Sequence, residues 1–485
     1  MQDQASPKGH PPGLSVAFGT ELWERFCFYG MRALLVLYLT KQLQFPDAEA
    51  SEIYGSYQSL VYATNVLGGL LADRFLGFRA AIVFGGLLMA AGEFLLMVQD
   101  HRAFFLGLSL LVMGCGYLKP NISALLGKAY AQGDPRRDSG FTIFYMGINL
   151  GAFLGPIVCA RFADPRFGFA AAGVGMLLAV AWFVLGARRF GDQGHPPAHV
   201  PRKFRLPVAV VTAAVVVPLV WVLLSDKEWR GWIQTVLNGL GATLAAYLLF
   251  AGAKEGRAHL GRMVALLLLL ALNAVFWACF EQAGNSMNLF AERNVALGDF
   301  GFTMKAADTQ AFNALFIILL APLFAALWLR LDRRGWNPWV PVKFALGIVQ
   351  VGLGFGVLVL ASKYLGSNGI VPLWTLALCY LIHTTGELCI SPVGLSTMTR
   401  LAPARLSGLV MGGWFLSTAY GNFLAGQISK LAGRSGDVNT GDLPAAQSLP
   451  VYADVFWMLT QVGVCIGLGA LVLSPLVQRL MRGVN

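Results

Sequence analysis

The chain has 485 residues, 56% of them hydrophobic and only 13% charged, with a formal net charge of +11. A soluble globular protein of this length needs more polar surface, so that class is excluded. The surplus Lys and Arg form no stripe on one soluble domain, which excludes nucleic acid as the partner they serve.

Apolar runs of membrane-spanning length recur along the chain. In lipid every backbone polar group must be satisfied within the segment, so such runs are helices. They are predicted at 18–43, 50–72, 79–98, 103–125, 139–162, 168–187, 206–224, 231–252, 263–290, 307–330, 339–362, 371–399, 407–431 and 452–478. That makes about fourteen spans in an all-α membrane protein. Residues 1–13 are polar and no small-residue cleavage site follows, so no cleavable signal peptide is expected.

The basic residues gather in alternate loops: Arg74 and Arg79; Lys128, Arg136 and Arg137; Arg188, Arg189, Arg202, Lys203 and Arg205; Arg330, Arg333 and Arg334; Arg479 and Arg482. The positive-inside rule places these loops, and both termini, in the cytoplasm. The seven cysteines all fall inside apolar runs and read as small buried hydrophobes, with no disulfide framework. His195 and His199 have metal-like spacing, but prolines lie beside them and no third ligand is near, so no metal site is expected.

Residues 191–205, GDQGHPPAHVPRKFR, are polar and Pro-rich and read as a linker. The next two runs are aliphatic and almost free of charge, and polar stripes resume at Trp277. The segment GGLLADRFLGFR after the second run is echoed by LWLRLDRRGW after the tenth. The expected organisation is a six-helix bundle at 1–190, a linker with an inserted two-helix hairpin at 191–257, and a second six-helix bundle at 258–485.

Charges inside spans are expensive and mark a pathway by default. In the first helix, ELWERFCFYGMR places Glu21, Glu24, Arg25, Phe28 and Arg32 on one face, with Tyr29 at its border. They line a wet cavity or meet partners on other helices; a structural ion-pair network is the plainer alternative. The fourth helix carries Lys119 directly before Pro120, which frees a carbonyl one turn back, while Gly114 and Gly116 permit close packing. The fifth offers Asn149 one turn after Tyr145, and Gly147, Gly151 and Gly155 on a helix-packing spacing. The ninth carries Glu281 with Asn285 and Asn288 near the same face, and the tenth Asn313. His383 and Glu387 stand one turn apart in the twelfth; His383 reads as a hydrogen-bonded core residue. Carboxylates that exchange cationic partners can turn protonation into a conformational bias, and buried Asn amides can serve a zwitterion or bridge helices.

Together ELWERFCFYG, FYMGINLGAFLGP, FWACFEQAGNS and GELCISPVGL resemble the proton-coupled oligopeptide transporter (POT/PTR) family of the major facilitator superfamily, bacterial type with two extra helices. The resemblance runs over essentially the whole chain. It implies the major facilitator fold and a symporter that imports di- and tripeptides by alternating access. Arg32, Lys119 and Glu387 would then hold the peptide termini, with Asn149 and Asn313 assisting. Tyr29, Tyr62, Trp277 and Trp414 would shape side-chain pockets, and Glu21, Glu24, Arg25 and Glu281 would carry or couple the proton. The pairs Arg32–Glu281 and Lys119–Glu387 would form the outward and inward gates. The proton is the coupling ion, no cofactor is implied, and a monomer in a bacterial inner membrane is expected. Phe28 stands where many members have tyrosine, and Ala314 replaces a proline common after the tenth-span asparagine. A same-fold transporter of another solute, such as nitrate or a drug-like compound, is the alternative reading. A membrane enzyme or channel is a third, and no nucleophile motif, metal cluster or repeated pore loop in the sequence favours it.

Overall fold

Each apolar run closes its own backbone hydrogen bonds as an α-helix. The chain is described by a computed structural model over residues 9–131, 134, 136–198, 200–298, 303–401 and 406–481; His199 and Arg482 lie outside the described residues. The helices are α1 (Gly13–Lys41), α2 (Asp47–Leu71), α3 (Phe78–Leu96), α4 (His101–Lys128), α5 (Arg137–Cys159), α6 (Pro165–Gly186), α7 (Arg202–Ser225), α8 (Lys227–Glu255), α9 (Arg257–Phe280), α10 (Ser286–Asn294), α11 (Ala311–Arg333), α12 (Val340–Tyr364), α13 (Leu373–Leu401), α14 (Ser407–Ala432) and α15 (Ala445–Leu480). Short turns force neighbouring helices antiparallel, and aspartates start several of them: Asp100, Asp164 and Asp226 each accept from backbone N–H groups of the first turn.

One expectation needs correction. The ninth run is not a single helix: a 3₁₀ turn at Glu281–Gly284 and the non-helical Asn285 (φ −125°, ψ −103°) divide α9 from α10. The break has a physical cause. Asn285 and Asn288 turn their amides away from their own half, donating to the Ser51 carbonyl on α2 (3.0 Å) and the Ala33 carbonyl on α1 (2.9 Å). The loops also hold two minimal strand pairs, Val295–Ala296 parallel to Val371–Pro372 and Arg434–Ser435 antiparallel to Val438–Asn439.

Among the described residues, eleven spans are long and apolar enough to cross a membrane. The helices α1, α2 and α14 fall short because charged or polar residues interrupt them. These three sit where the halves meet. Helices α1–α6 pack together, as do α9–α15, and the halves join through α2 on α14 and α5 on α11. Helix α7 lies against α4 and α2, whereas α8 lies against α9 and α14.

Lipid gives helices no hydrophobic reason to associate, so close contact depends on small residues. A Cβ at Gly151 would collide with the Leu22 carbonyl, and one at Gly155 with the Phe26 carbonyl, so the glycine spacing of α5 is what seats α1. Across the seam, Gly55 of α2 meets Gly426 of α14 backbone to backbone: a Cβ on Gly55 would lie 2.5 Å from the Gly426 Cα. The carbonyl of Gly116, one turn before Pro120, is covered by Gly68 of α2. On the linker, Arg79 donates to the carbonyls of Gly191 and Gln193, tying residues 191–193 to the α2–α3 turn.

Candidate functional site

The face read from the first helix turns inward. Glu21, Glu24, Arg25 and Arg32 are all buried, while Tyr29 is partly exposed. Arg25 pairs with the adjacent Glu24 through two hydrogen bonds and stands 3.5 Å from Glu21 one turn back. Its guanidinium also covers the Phe28 ring at 4.8 Å. Charges taken out of water need such partners, since an unpaired buried ion is costly.

Two turns further along α1, Arg32 donates to Glu281 of the C-terminal half at 2.6 Å and, through Nε, to the Tyr54 hydroxyl at 2.7 Å. The break after α9 is what sets Glu281 in front of Arg32. Lys119 has a different environment. Its ammonium lies over the Tyr62 ring at 4.5 Å and the Phe28 ring at 6.0 Å, and no described carboxylate is within 4.0 Å. Opposite, Glu387 accepts from the Asn313 amide at 3.0 Å, and that amide also donates to Thr384 at 3.1 Å.

Arg25, Phe28, Tyr29 and Arg32 of α1, Tyr62 of α2, Lys119 of α4 and Glu281 after α9 thus form one connected set, and Asn313 of α11 with Glu387 of α13 a second. Arg32 and Glu281 meet directly. Lys119 and Glu387 do not meet in this conformation, and α4 and α13 share no interface as extensive as α2 with α14. Asn149 is buried and donates to its own Tyr145 carbonyl at 2.9 Å, leaving its side-chain oxygen as the group it can offer. Trp277 is partly exposed and donates to Asn273 at 3.0 Å, whose amide in turn donates to Ser417 and Thr418. Trp414 is buried against Gly394 and Phe344, behind the partly exposed residues. His383 sits in the core with Nε2 against the Val351 carbonyl at 3.0 Å and the Phe355 ring tilted against it, centroids 4.7 Å apart. Ala314 is buried within α11, and Phe28 supplies a ring face to two cations.

Sequence reasoning missed a ring of ion pairs at the end of the molecule that carries the α1–α2, α5–α6 and α10–α11 connections. There Lys41 pairs with Glu292, Asp47 with Arg293, Arg161 with Asp308, and Glu52 with Lys430 at 3.1 Å, every pair joining the N-terminal half to the C-terminal half. The charges were visible at helix ends, but partners some hundreds of residues apart carry no local signal. Glu93 was also missed. It is fully buried in α3, accepts from the Cys27 thiol at 3.3 Å, and its second oxygen has no partner; a carboxylate inside the third apolar run was signal enough to find it.

Among the described residues, the ion pairs that join the two halves directly lie at the end of the α1–α2 and α10–α11 connections or deep beneath it. Comparison with known proteins places this geometry. The PTR2 profile of the POT family matches residues 79–442. The uncharacterized transporter YclF of Bacillus subtilis is 35% identical, the match covering 98% of this chain and 96% of that one. The peptide transporter YePEPT of Yersinia enterocolitica is 36% identical over 87% of this chain and 88% of its own. A crystal structure of a mutant of peptide transporter POT in complex with sulfate superposes with a TM-score of 0.83 at 35% identity, covering 99% of this chain and 98% of the other.

Proposed function

The chain belongs to the POT family, and from that premise we propose that it is a proton-coupled symporter that imports di- and tripeptides by alternating access. The major facilitator fold, with two six-helix bundles and an inserted pair, is shared with the solved relatives. The observation that carries the reading is the asymmetric state of four charges from the two halves. Arg32 holds Glu281, while Lys119 and Glu387 face the same interior without holding each other.

In this reading the closed end faces outside and the basic loops face the cytoplasm, as the positive-inside rule requires. A peptide would place its carboxylate on Lys119 and Arg32 and its amine on Glu387. Asn149 and Asn313 would take the remaining amine and backbone bonds, with Tyr29, Tyr62, Trp277 and Trp414 around the side chains. Glu21, Glu24, Arg25 and Glu281 would carry or couple the proton, the carboxylates taking it and Arg25 responding as their partner. Protonating Glu24 removes the partner that neutralises Arg25, and protonating Glu281 releases Arg32, so loading and opening draw on the same charges. Residues 1–190 and 258–485 would rock as the two moving units, with no cofactor beyond the proton. The setting is a bacterial inner membrane with both termini cytoplasmic, and the protein acts as a monomer without catalysing a reaction.

The deciding experiment is uptake of labelled dialanine into liposomes under an inward proton gradient, with unlabelled solutes as competitors. Di- and tripeptides are expected to compete. Competition by nitrate alone, or uptake indifferent to the gradient, overturns the reading.

A further inference from the structure

The inserted pair α7–α8 has no part in the mechanism above, yet its contacts are those of a working element. Ile233 and Leu237 of α8 bury against Ala419 and Phe423 of α14, and Leu60, Tyr62 and Ala63 of α2 pack on the same cluster. Helix α8 thus lies over the seam between the halves, behind the tyrosine whose ring faces Lys119. On the C-terminal side, the Tyr420 hydroxyl of α14 donates to the Asn238 side-chain oxygen at 3.0 Å. On the N-terminal side stands Arg230. It is only 1% exposed, although its neighbours Trp229 and Trp232 face outward at 52% and 57%. Its Nε and Nη2 donate to the Leu224 carbonyl of α7 at 3.3 and 2.9 Å, and its Nη1 reaches toward Glu49 of α2 at 3.6 Å. Glu52, one turn on, already pairs with Lys430 of α14.

A buried guanidinium is costly in an apolar setting unless carbonyl and carboxylate groups meet it, and its planar fork is pre-organised to face two partners at once, as a lysine ammonium is not. Opening the closed end parts α2 from α14. Helix α8, which packs on α14, must then give up Glu49, while α7 stays on α4.

We propose that the inserted pair is a clasp across the seam between α2 and α14, with Arg230 as its latch on Glu49, and that it positions Tyr62 against Lys119 from behind. The proposal rests on the alternating-access reading, because only an end that opens needs a latch.

Ser51 offers a reporter: it is fully buried at the seam, its hydroxyl has no partner, and cysteine is nearly isosteric with it. In proteoliposomes without peptide, a membrane-impermeant thiol reagent is applied from outside to Ser51→Cys protein, with the parent protein as background. Arg230→Ala and Glu49→Gln are each expected to raise the labelling rate about fivefold, the scale of a partly exposed ion pair. Arg230→Lys should restore part of the protection. Asn238→Ala, which loosens the α14 side and leaves the buried arginine alone, should raise labelling too and serves if Arg230→Ala does not fold. Unchanged labelling in the folded latch variants, while Glu281→Gln increases it, overturns the clasp and leaves the transport reading standing. Parent liposomes that take up no dialanine under a gradient sink the transport reading instead, whatever the labelling shows.

Discussion

The two ends of the molecule are built from the same helices and behave differently. At the end of the α1–α2 and α10–α11 connections, Arg32–Glu281 lies deepest, with Asp47–Arg293, Arg161–Asp308, Glu52–Lys430 and Lys41–Glu292 toward the surface, all between halves. Gly55 and Gly426 let the backbones touch behind them. At the opposite end Asp134 pairs with Arg136 and Glu255 stands near His259, each within one segment. At the first end, ion pairs between the halves add to the close packing of α2 on α14. Lipid supplies little drive for two bundles to stick, so the state of a few charges can decide which end is shut.

That contrast can be broken or sharpened by mutation. The largest effect is expected at the unpaired charges. Lys119→Ala or Glu387→Ala should lower dialanine uptake by roughly a hundredfold, as loss of a buried charge contact does. Unchanged uptake would remove them from the site. Next comes Glu24→Gln, which should abolish accumulation under a proton gradient while counterflow exchange continues; a variant that still concentrates peptide would show that the proton enters elsewhere. Glu281→Gln leaves Arg32 buried without its anion and should raise external labelling of the Ser51→Cys reporter by about tenfold or more. Lys430→Ala should raise it only a few fold, because the pair is partly exposed, and Lys41→Ala by about twofold at most, its side chain being half exposed. If the order of these last three is reversed, the depth of a pair does not set its weight in closure.

The spans were legible because lipid imposes one solution on an apolar run, and their polar interruptions were legible as sites for the same reason. Lys119, Glu281 and Glu387 stand out in any reading of the chain. The glycine ladder of α5 was also readable, since its spacing places every small residue on one face. Less of the gate could be read. Only Arg32–Glu281 was anticipated, and that through family likeness; nothing local links Asp47 to Arg293 or Arg161 to Asp308. Gly284, Asn285 and Ser286 carry a local signal for the break, a poor helix former followed by cap residues, but the bonds that hold it are made to Ser51 and Ala33 in the other half.

The amino-acid sequence by itself determined a helical membrane protein with fourteen crossings, the loops that carry its positive charge, and the few ionisable residues placed where lipid would not allow them. These follow from the transfer energetics of each segment alone. Which charge meets which, the parting of α9 from α10, the seat of α8 on the seam and the choice of end that is shut were decided by tertiary structure. Those outcomes depend on the energies of groups far apart in the chain, and such energies exist only once the two halves have come together.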